Sequence, residues 1–534
     1  MSNVVELLRR NWLRLSSRLR PWQVDASIAL GYMLVTLIVT WPLVTQLSGG
    51  IPGYEVNGDQ LQKIWSLWQT KEAILRGENP AYFATLVYPQ GYFSPIRWSM
   101  MVIPMMAFPL ALIAPPILTY NLVFLLSYIL TGYTGYLLCR DITGDRRAAA
   151  LGGLVMMLFP LRVAHVLSGH LETGSLFLVL LYMTLLRRTL LAPGPRRAIL
   201  TGVVLALASM VHITFLPYVI PLWTTIYVLY FLMARTPRFF DWPTWQALLI
   251  TAGVALIILT PFFAPLVAFS LAPSEEVLEG GTVVFATDLL SYISPSPGNS
   301  LLDSLGLVPA YAKEVLAFHP QELLAYLGLV PLILAAVALT RRSSESSIWT
   351  VIGSVAMLLA LGPFLKIRGR LITVTLEEFD SLVVLPYAAL TKLPLFKVGR
   401  TPGRFNLIAG IALAVLAAQG AAIWLRSRLA EAGWQRYVLL ATAILIVTGE
   451  YLVMWPVEMR DSSIPAAVEA LAAEAPTGGV LNVPVDNRQV KHYALYYQTI
   501  HRWPIMDGYV SRPLPNKPGM LEAFDWITGD RPNS

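Results

Sequence analysis

Apolar stretches of roughly twenty residues recur along almost the whole chain, and each is long enough to cross the roughly 30 Å hydrocarbon core of a bilayer as a helix. Nothing constrains this sequence more. Its 534 residues are 56% hydrophobic and only 13% charged, with a mean hydropathy of +0.59, whereas soluble domains carry about 25% charged residues. Soluble globular, disordered and collagen-like classes are therefore excluded. The single cysteine, Cys139, excludes an intrachain disulfide and any multi-cysteine metal site. A net charge of +7 would suggest nucleic acid in a soluble protein, but here basic residues first orient the helices, and no nucleic-acid partner is expected.

Spans are expected near 27–48, 117–138, 148–167, 172–190, 198–212, 214–233, 245–270, 321–340, 348–365, 405–425 and 437–456. The Arg-rich start RRNWLRLSSRLR places the N-terminus in the cytoplasm, and eleven spans leave the C-terminus outside. The charges agree with this orientation. The segments it puts inside (the N-terminal arm, 139–147, 187–197, 234–243, 341–347 and 426–436) hold 19 Arg and no Lys. The short pair of spans around His212 and Pro217 could also be one broken helix, which would invert everything after it.

Four segments remain outside. In the first, 49–116, Leu61, Ile64, Trp65, Trp68 and Leu75 recur at helical spacing, as in a helix lying in the membrane interface. MMVIPMMAFPLALIAPP follows as a re-entrant or interfacial helix. The second is 271–320. The third, 366–404, carries seven cations, Lys366, Arg368, Arg370, Lys392, Lys397, Arg400 and Arg404, on the side where topology does not call for them. The fourth, 457–534, reads as a small external α/β appendage with a helix in IPAAVEALAAEA and a strand in VLNVPV, beside a transmembrane domain over 1–456.

Ionisable residues at span edges are costly and point to function. They gather at the outer face: Glu55, Asp59, Arg162, His165, His170, Glu172, Arg400, Arg404 and Glu450. A transporter would instead place its polar site near the bilayer midplane. Arg binds phosphate bidentately, and a carboxylate can deprotonate an incoming hydroxyl. Together they suit glycosyl transfer from a lipid phosphate, with cations stabilising charge on the departing phosphate. Arg400, Arg404 and either Arg162 or Lys397 are expected to converge on that anion.

The order GDQLQKIWSLWQ, NPAYFATLVYPQG, FPLRVAHVLSGHLE, GRTPGRF and YYQTIHRWPIMDGYVSR, spread over residues 58–512, resembles a bacterial branch of the GT-C class of integral membrane glycosyltransferases. The resemblance implies a GT-C-like helical bundle in the inner membrane and cell envelope. It also implies a polyprenyl-phosphate sugar donor in contact with membrane lipids, transfer with inversion, and Asp59 as the base. The sequence departs from the class in having one acidic residue at the motif core, with Glu55 four positions earlier, and no Asp-x-Asp pair. Dependence on a divalent metal (Mg or Mn) is thereby left open, as are the sugar and the acceptor.

Plainer readings stand beside these. Asp59 could simply cap the following helix. His165 and His170 could ligate a metal with Glu172, or only complete hydrogen bonds. Arg400 and Arg404 could anchor a helix end, and Glu450 could be a helix contact. Trp65 and Trp68 fit membrane anchoring better than sugar stacking. His492, Tyr497 and His501 belong to no recognisable constellation. For the whole protein, a lipid or polysaccharide transporter and a catalytically silent subunit of a larger membrane complex are the alternatives.

Overall fold

The computed structural model describes residues 20–54, 58–234, 241–271, 281–341, 343–376, 379–393, 400–426, 433–484, 487–506 and 508–509. Glu55, Lys397 and the chain beyond residue 509 lie outside the described residues. Among the described residues, six helices are long and apolar enough to cross a membrane: Pro21–Val39, Pro116–Thr143, Leu171–Leu191, Phe215–Met233, Trp242–Leu271 and Pro402–Leu425. A seventh forms if Arg146–Leu158 and Pro160–Leu167, bent by 44°, count as one span. The other four expected spans coincide with shorter helices, Pro195–Ser209, Leu329–Thr340, Ser344–Ala360 and Gly433–Glu450. The chain is a helical membrane protein.

Small residues let the central helices approach closely, as packing within a bilayer requires. A Cβ on Gly153 would run into the Gly132 carbonyl and the Tyr32 hydroxyl, which brings Pro21–Val39, Pro116–Thr143 and Arg146–Leu158 together. Four of the segments expected inside, the N-terminal arm, 139–147, 187–197 and 341–347, meet at one end of this bundle. Arg140 bonds Asp25 at 2.9 Å, Arg187 bonds Asp141 at 2.6 Å and Glu345 at 3.2 Å, and Arg147 donates to Tyr437 at 3.0 Å. Near the start of Pro116–Thr143, Asn121 donates to the Leu47 and Gly50 carbonyls, where the first span passes into the first loop. At about 1.5 Å per residue, that helix separates the arginine-rich end from the loop end by roughly 40 Å.

The first-loop helix, Gln60–Leu75, departs from the interfacial expectation. Trp65 and Trp68 are buried, in a cluster with Phe83, Leu86, Val87, Ala494, Leu495 and Ile505. They are core residues, neither membrane anchors nor sugar platforms, because a tail helix, Arg488–His501, covers them. Trp65 Nε1 donates to Gln498 Oε1 at 2.6 Å.

The tail also differs from the expected α/β appendage. VLNVPV contributes one bridge, Val480 to Ile505, and no strand among its described residues. The sequence around YYQTIH is helical, and Met459–Arg460 pairs antiparallel with Ile51–Pro52. An edge so short gains most of its stability by adding to a surface already built, here the first loop.

Candidate functional site

Asp59 lies just before the Gln60–Leu75 helix, at its N-cap position, yet its side chain accepts no capping hydrogen bond. The capping-only reading therefore fails. The residue is held by its backbone: Asp59 N donates to Ser168 O at 2.8 Å, and Gln60 Nε2 donates to Leu167 O at 2.7 Å. Gly169 makes this approach feasible. Its φ is +81°, and a Cβ there would strike the Asp59–Gln60 backbone. The carboxylate is left facing a cavity of about 260 Å³.

Distant parts of the chain line that cavity. The first loop supplies Asp59 and Lys63, His170 comes from the turn before Leu171–Leu191, and Glu172 from the first turn of that helix. His212 and Thr214 come from the break after Pro195–Ser209, Phe285 and His319 from the segment ahead of Pro320–Leu323, and Glu322 from Pro320–Leu323 itself. Arg400 and Arg404 precede the Asn406–Leu425 helix, and Arg488 begins the tail helix. The expected span 321–340 is shortened here. Its first residues peel off as the turn Pro320–Leu323, which carries Glu322 into the cavity.

Three ion pairs line the walls. Lys63 meets Glu172 at 2.8 Å, Arg404 meets Glu322 at 2.5 Å, and Arg488 meets Asp59 at 3.1 Å. His170 Nε2 stands 3.3 Å from the other Asp59 oxygen. Burial would raise the Asp59 carboxyl, but the hydrogen bond from His170 and the positive charge around it, Arg488 included, outweigh it, holding the group well below the usual carboxylate range. Burial pushes the neighbouring His492 down to about 4.

Arg400 differs from the other cations. Among the described residues it has no carboxylate partner, its guanidinium lies 5.9 Å from the Phe285 ring centroid, and its backbone sits at φ +27°. A non-glycine residue in the left-handed region costs about 1–2 kcal/mol, and such strain clusters at ligand sites.

Several expected site residues lie elsewhere. Arg162 is fully buried, donating to the Gly174 and Met157 carbonyls at 2.7 Å each and to Ser127 at 3.0 Å, over the Tyr128 ring. It braces the bend at Pro160 and does not reach the cavity. Glu450 accepts from the Leu329 and Val330 N–H groups at 2.8 and 3.2 Å, so it serves the positive end of the Leu329–Thr340 helix. Glu172 is taken by Lys63; among the described residues the group that could hold a metal is His165, His170 and Glu322, whose ligand atoms lie within 4.8 Å of one another, and Glu322 would have to share its oxygens with Arg404. Two imidazoles and a carboxylate suit zinc or manganese better than magnesium.

Sequence reading missed Glu322, Lys63, His212, Arg488 and His492. Only Glu322 carried a visible signal, an acidic residue at the head of an apolar run.

In fold, the chain is similar to the oligosaccharyltransferase of Archaeoglobus fulgidus in its apo form, at a TM-score of 0.50 and 12% identity over 95% of this chain and 68% of that one. The same enzyme in complex with an inhibitory peptide and a dolichol-phosphate gives a TM-score of 0.48 at 12% identity, covering 91% and 64%. ArnT from Cupriavidus metallidurans bound to undecaprenyl phosphate gives 0.43 at 13% identity, covering 95% and 88%. The first of these likenesses supports the GT-C-type fold expected above. No curated protein matches significantly. Residues 88–448, which include His165, His170, Glu322, Arg400 and Arg404 but neither Asp59 nor Arg488, match the family described as "Domain of unknown function (DUF6311)", and the chain belongs to that family.

Proposed function

We propose that this protein is a membrane glycosyltransferase moving a sugar from a polyprenyl-phosphate-type lipid to an acceptor at the outer face of the membrane. One observation carries the reading: a carboxylate that caps nothing, Asp59, and a guanidinium with no carboxylate partner among the described residues, Arg400, line one cavity although they lie far apart in sequence. Asp59 takes the proton of the acceptor hydroxyl as its oxygen attacks the anomeric carbon. The bond from that carbon to the phosphate oxygen breaks on the opposite face, which inverts the centre. The electron pair leaves with the phosphate, whose charge Arg400 stabilises. His165, His170 and Glu322 are the residues that would hold a divalent ion, which would supply further positive charge to the phosphate.

Incubation with a polyprenyl-phosphate sugar tests the reading. Release of polyprenyl phosphate with an inverted glycoside supports it, whereas a donor that is moved or bound but returned intact supports a transporter or a silent subunit. In binding, Arg400→Ala should weaken retention of polyprenyl phosphate by about 1.5–3 kcal/mol, the value of a charge-assisted bond. Unchanged binding in a microscale titration would remove Arg400 from the phosphate site.

The proposed topology keeps eleven spans, with the N-terminus in the cytoplasm, the transmembrane domain over 1–456 and the segment 457–534 outside. A cysteine at exposed Ser463 should react with an impermeant maleimide added from outside, and one at exposed Ser344 should not. Native Cys139 is buried and gives little background. The reverse pattern overturns the orientation.

A further inference from the structure

Both oxygens of Asp59 are engaged in this conformation. Oδ1 accepts from Arg488 at 3.1 Å with His492 Nε2 at 3.8 Å, and Oδ2 faces His170 Nε2 at 3.3 Å. A base must turn a lone pair toward the hydroxyl it deprotonates. The Asp59 backbone is bonded to Ser168, and Arg488 and His170 compete with an acceptor hydroxyl for its two oxygens.

The three ion pairs of the cavity single out Arg488. In Lys63–Glu172 and Arg404–Glu322 both side chains are nearly enclosed, with exposures of 12% and 3%, and 13% and 4%. Arg488 is 47% exposed against 10% for Asp59, and an ion pair with one partner in water is weak. Arg488 is the first residue of its helix, which Gln498 and Leu495 fix to the first loop several turns further on. The helix is thus anchored beyond its first turn, while the guanidinium, 5.0 Å from the Tyr509 ring centroid, stands on a long, half-exposed side chain.

We propose that Arg488 is a transferable cation: an anionic lipid phosphate entering the cavity draws its guanidinium from Asp59 onto the phosphate oxygens, so the base is freed only when the donor is in place. The inference rests on the donor-and-base reading above. Phosphate accepts both arms of a guanidinium, whereas Arg488 donates to Asp59 through one nitrogen at 3.1 Å. Donor binding then precedes deprotonation of the acceptor. The charged and titratable groups facing Asp59 are Arg488 and His492 from the tail helix, His170 from the turn before Leu171–Leu191, and Lys63 one turn along its own helix. Farther off, Arg460 and Tyr120 contribute to the same field.

The full chain in detergent provides the test. Modification of Arg488 by phenylglyoxal, read by peptide mass spectrometry, reports its accessibility with and without polyprenyl phosphate. Saturating polyprenyl phosphate should slow modification of Arg488 severalfold, and Arg488→Gln should weaken polyprenyl phosphate binding about tenfold. Arg488→Lys, which keeps the charge, should restore part of that binding. Modification of Arg488 that the lipid does not slow, with unchanged binding in Arg488→Gln, overturns the transfer of Arg488 while leaving Asp59 as base. If the wild-type chain binds no polyprenyl phosphate, the functional reading itself fails.

Discussion

Asp59→Asn lowers sugar transfer by roughly 10²- to 10⁴-fold, the contribution of a positioned general base, while the protein folds and still binds its donor. Asparagine keeps the shape, and its one side-chain oxygen can still accept from Arg488 while its NH2 faces His170 Nε2. It cannot take a proton. Because the Asp59 side chain caps no helix N–H, the variant loses no helix cap. Removing one negative charge beside Arg488 and Arg400 should leave affinity for an anionic lipid equal or improved, a direction opposite to that expected for general damage. Single-turnover transfer measured alongside lipid binding separates the two effects. Transfer at the wild-type rate would end the catalytic assignment, leaving the fold as it stands.

The same substitution has a pH signature. The Asp59 carboxyl is held below its ordinary range, so its ion pairs stabilise the folded chain at neutral pH, and that contribution fades only as pH falls below the ordinary carboxylate value. The melting temperatures of the wild-type and Asp59→Asn chains should therefore differ most near neutrality and converge in acid.

Arg404→Ala should cost about 3–5 kcal/mol of stability, because it strands Glu322 as a buried charge without its partner. Glu322 is almost fully buried and is held at 2.5 Å by one guanidinium nitrogen and at 3.2 and 3.3 Å by another. Arg404 is therefore a wall of the cavity first, and any loss of donor binding in this variant arrives together with a loss of fold. Replacing both partners, Arg404→Leu with Glu322→Gln, should recover much of the stability, since no charge is then left unpaired. Thermal unfolding in detergent reads both. A single variant that melts like the wild type would show that Arg404 is free to serve the ligand alone.

Much of the membrane framework was legible in the chain. Hydropathy is a local property, and the expected spans at 117–138 and 405–425 meet helices Pro116–Thr143 and Asn406–Leu425 within a few residues at most ends. The loops rich in Arg meet at one end because sequences near span ends carry the orienting charge. Asp59, His170, Glu172, Arg400 and Arg404 were visible as charges at span edges, where burial is costly, and the structure places all five on one cavity.

Which partner each charge meets was decided only by the tertiary structure. Arg162 and Glu450 looked equivalent to the cavity residues in sequence, yet one is satisfied by backbone carbonyls and the other by a helix N-terminus. Trp65 and Trp68 had the spacing of a membrane-facing stripe, and spacing cannot tell lipid from protein as the apolar neighbour. The neighbour of Trp65 is Gln498, 433 positions away, and that of Asp59 is Arg488, 429 positions away. Hydropathy, periodicity and loop charge act over tens of residues and so determined the spans and the face on which chemistry could occur. The contacts that turn those charges into walls, a metal-capable group or a base join segments hundreds of residues apart, and they exist only once the bundle and its tail have closed around the cavity.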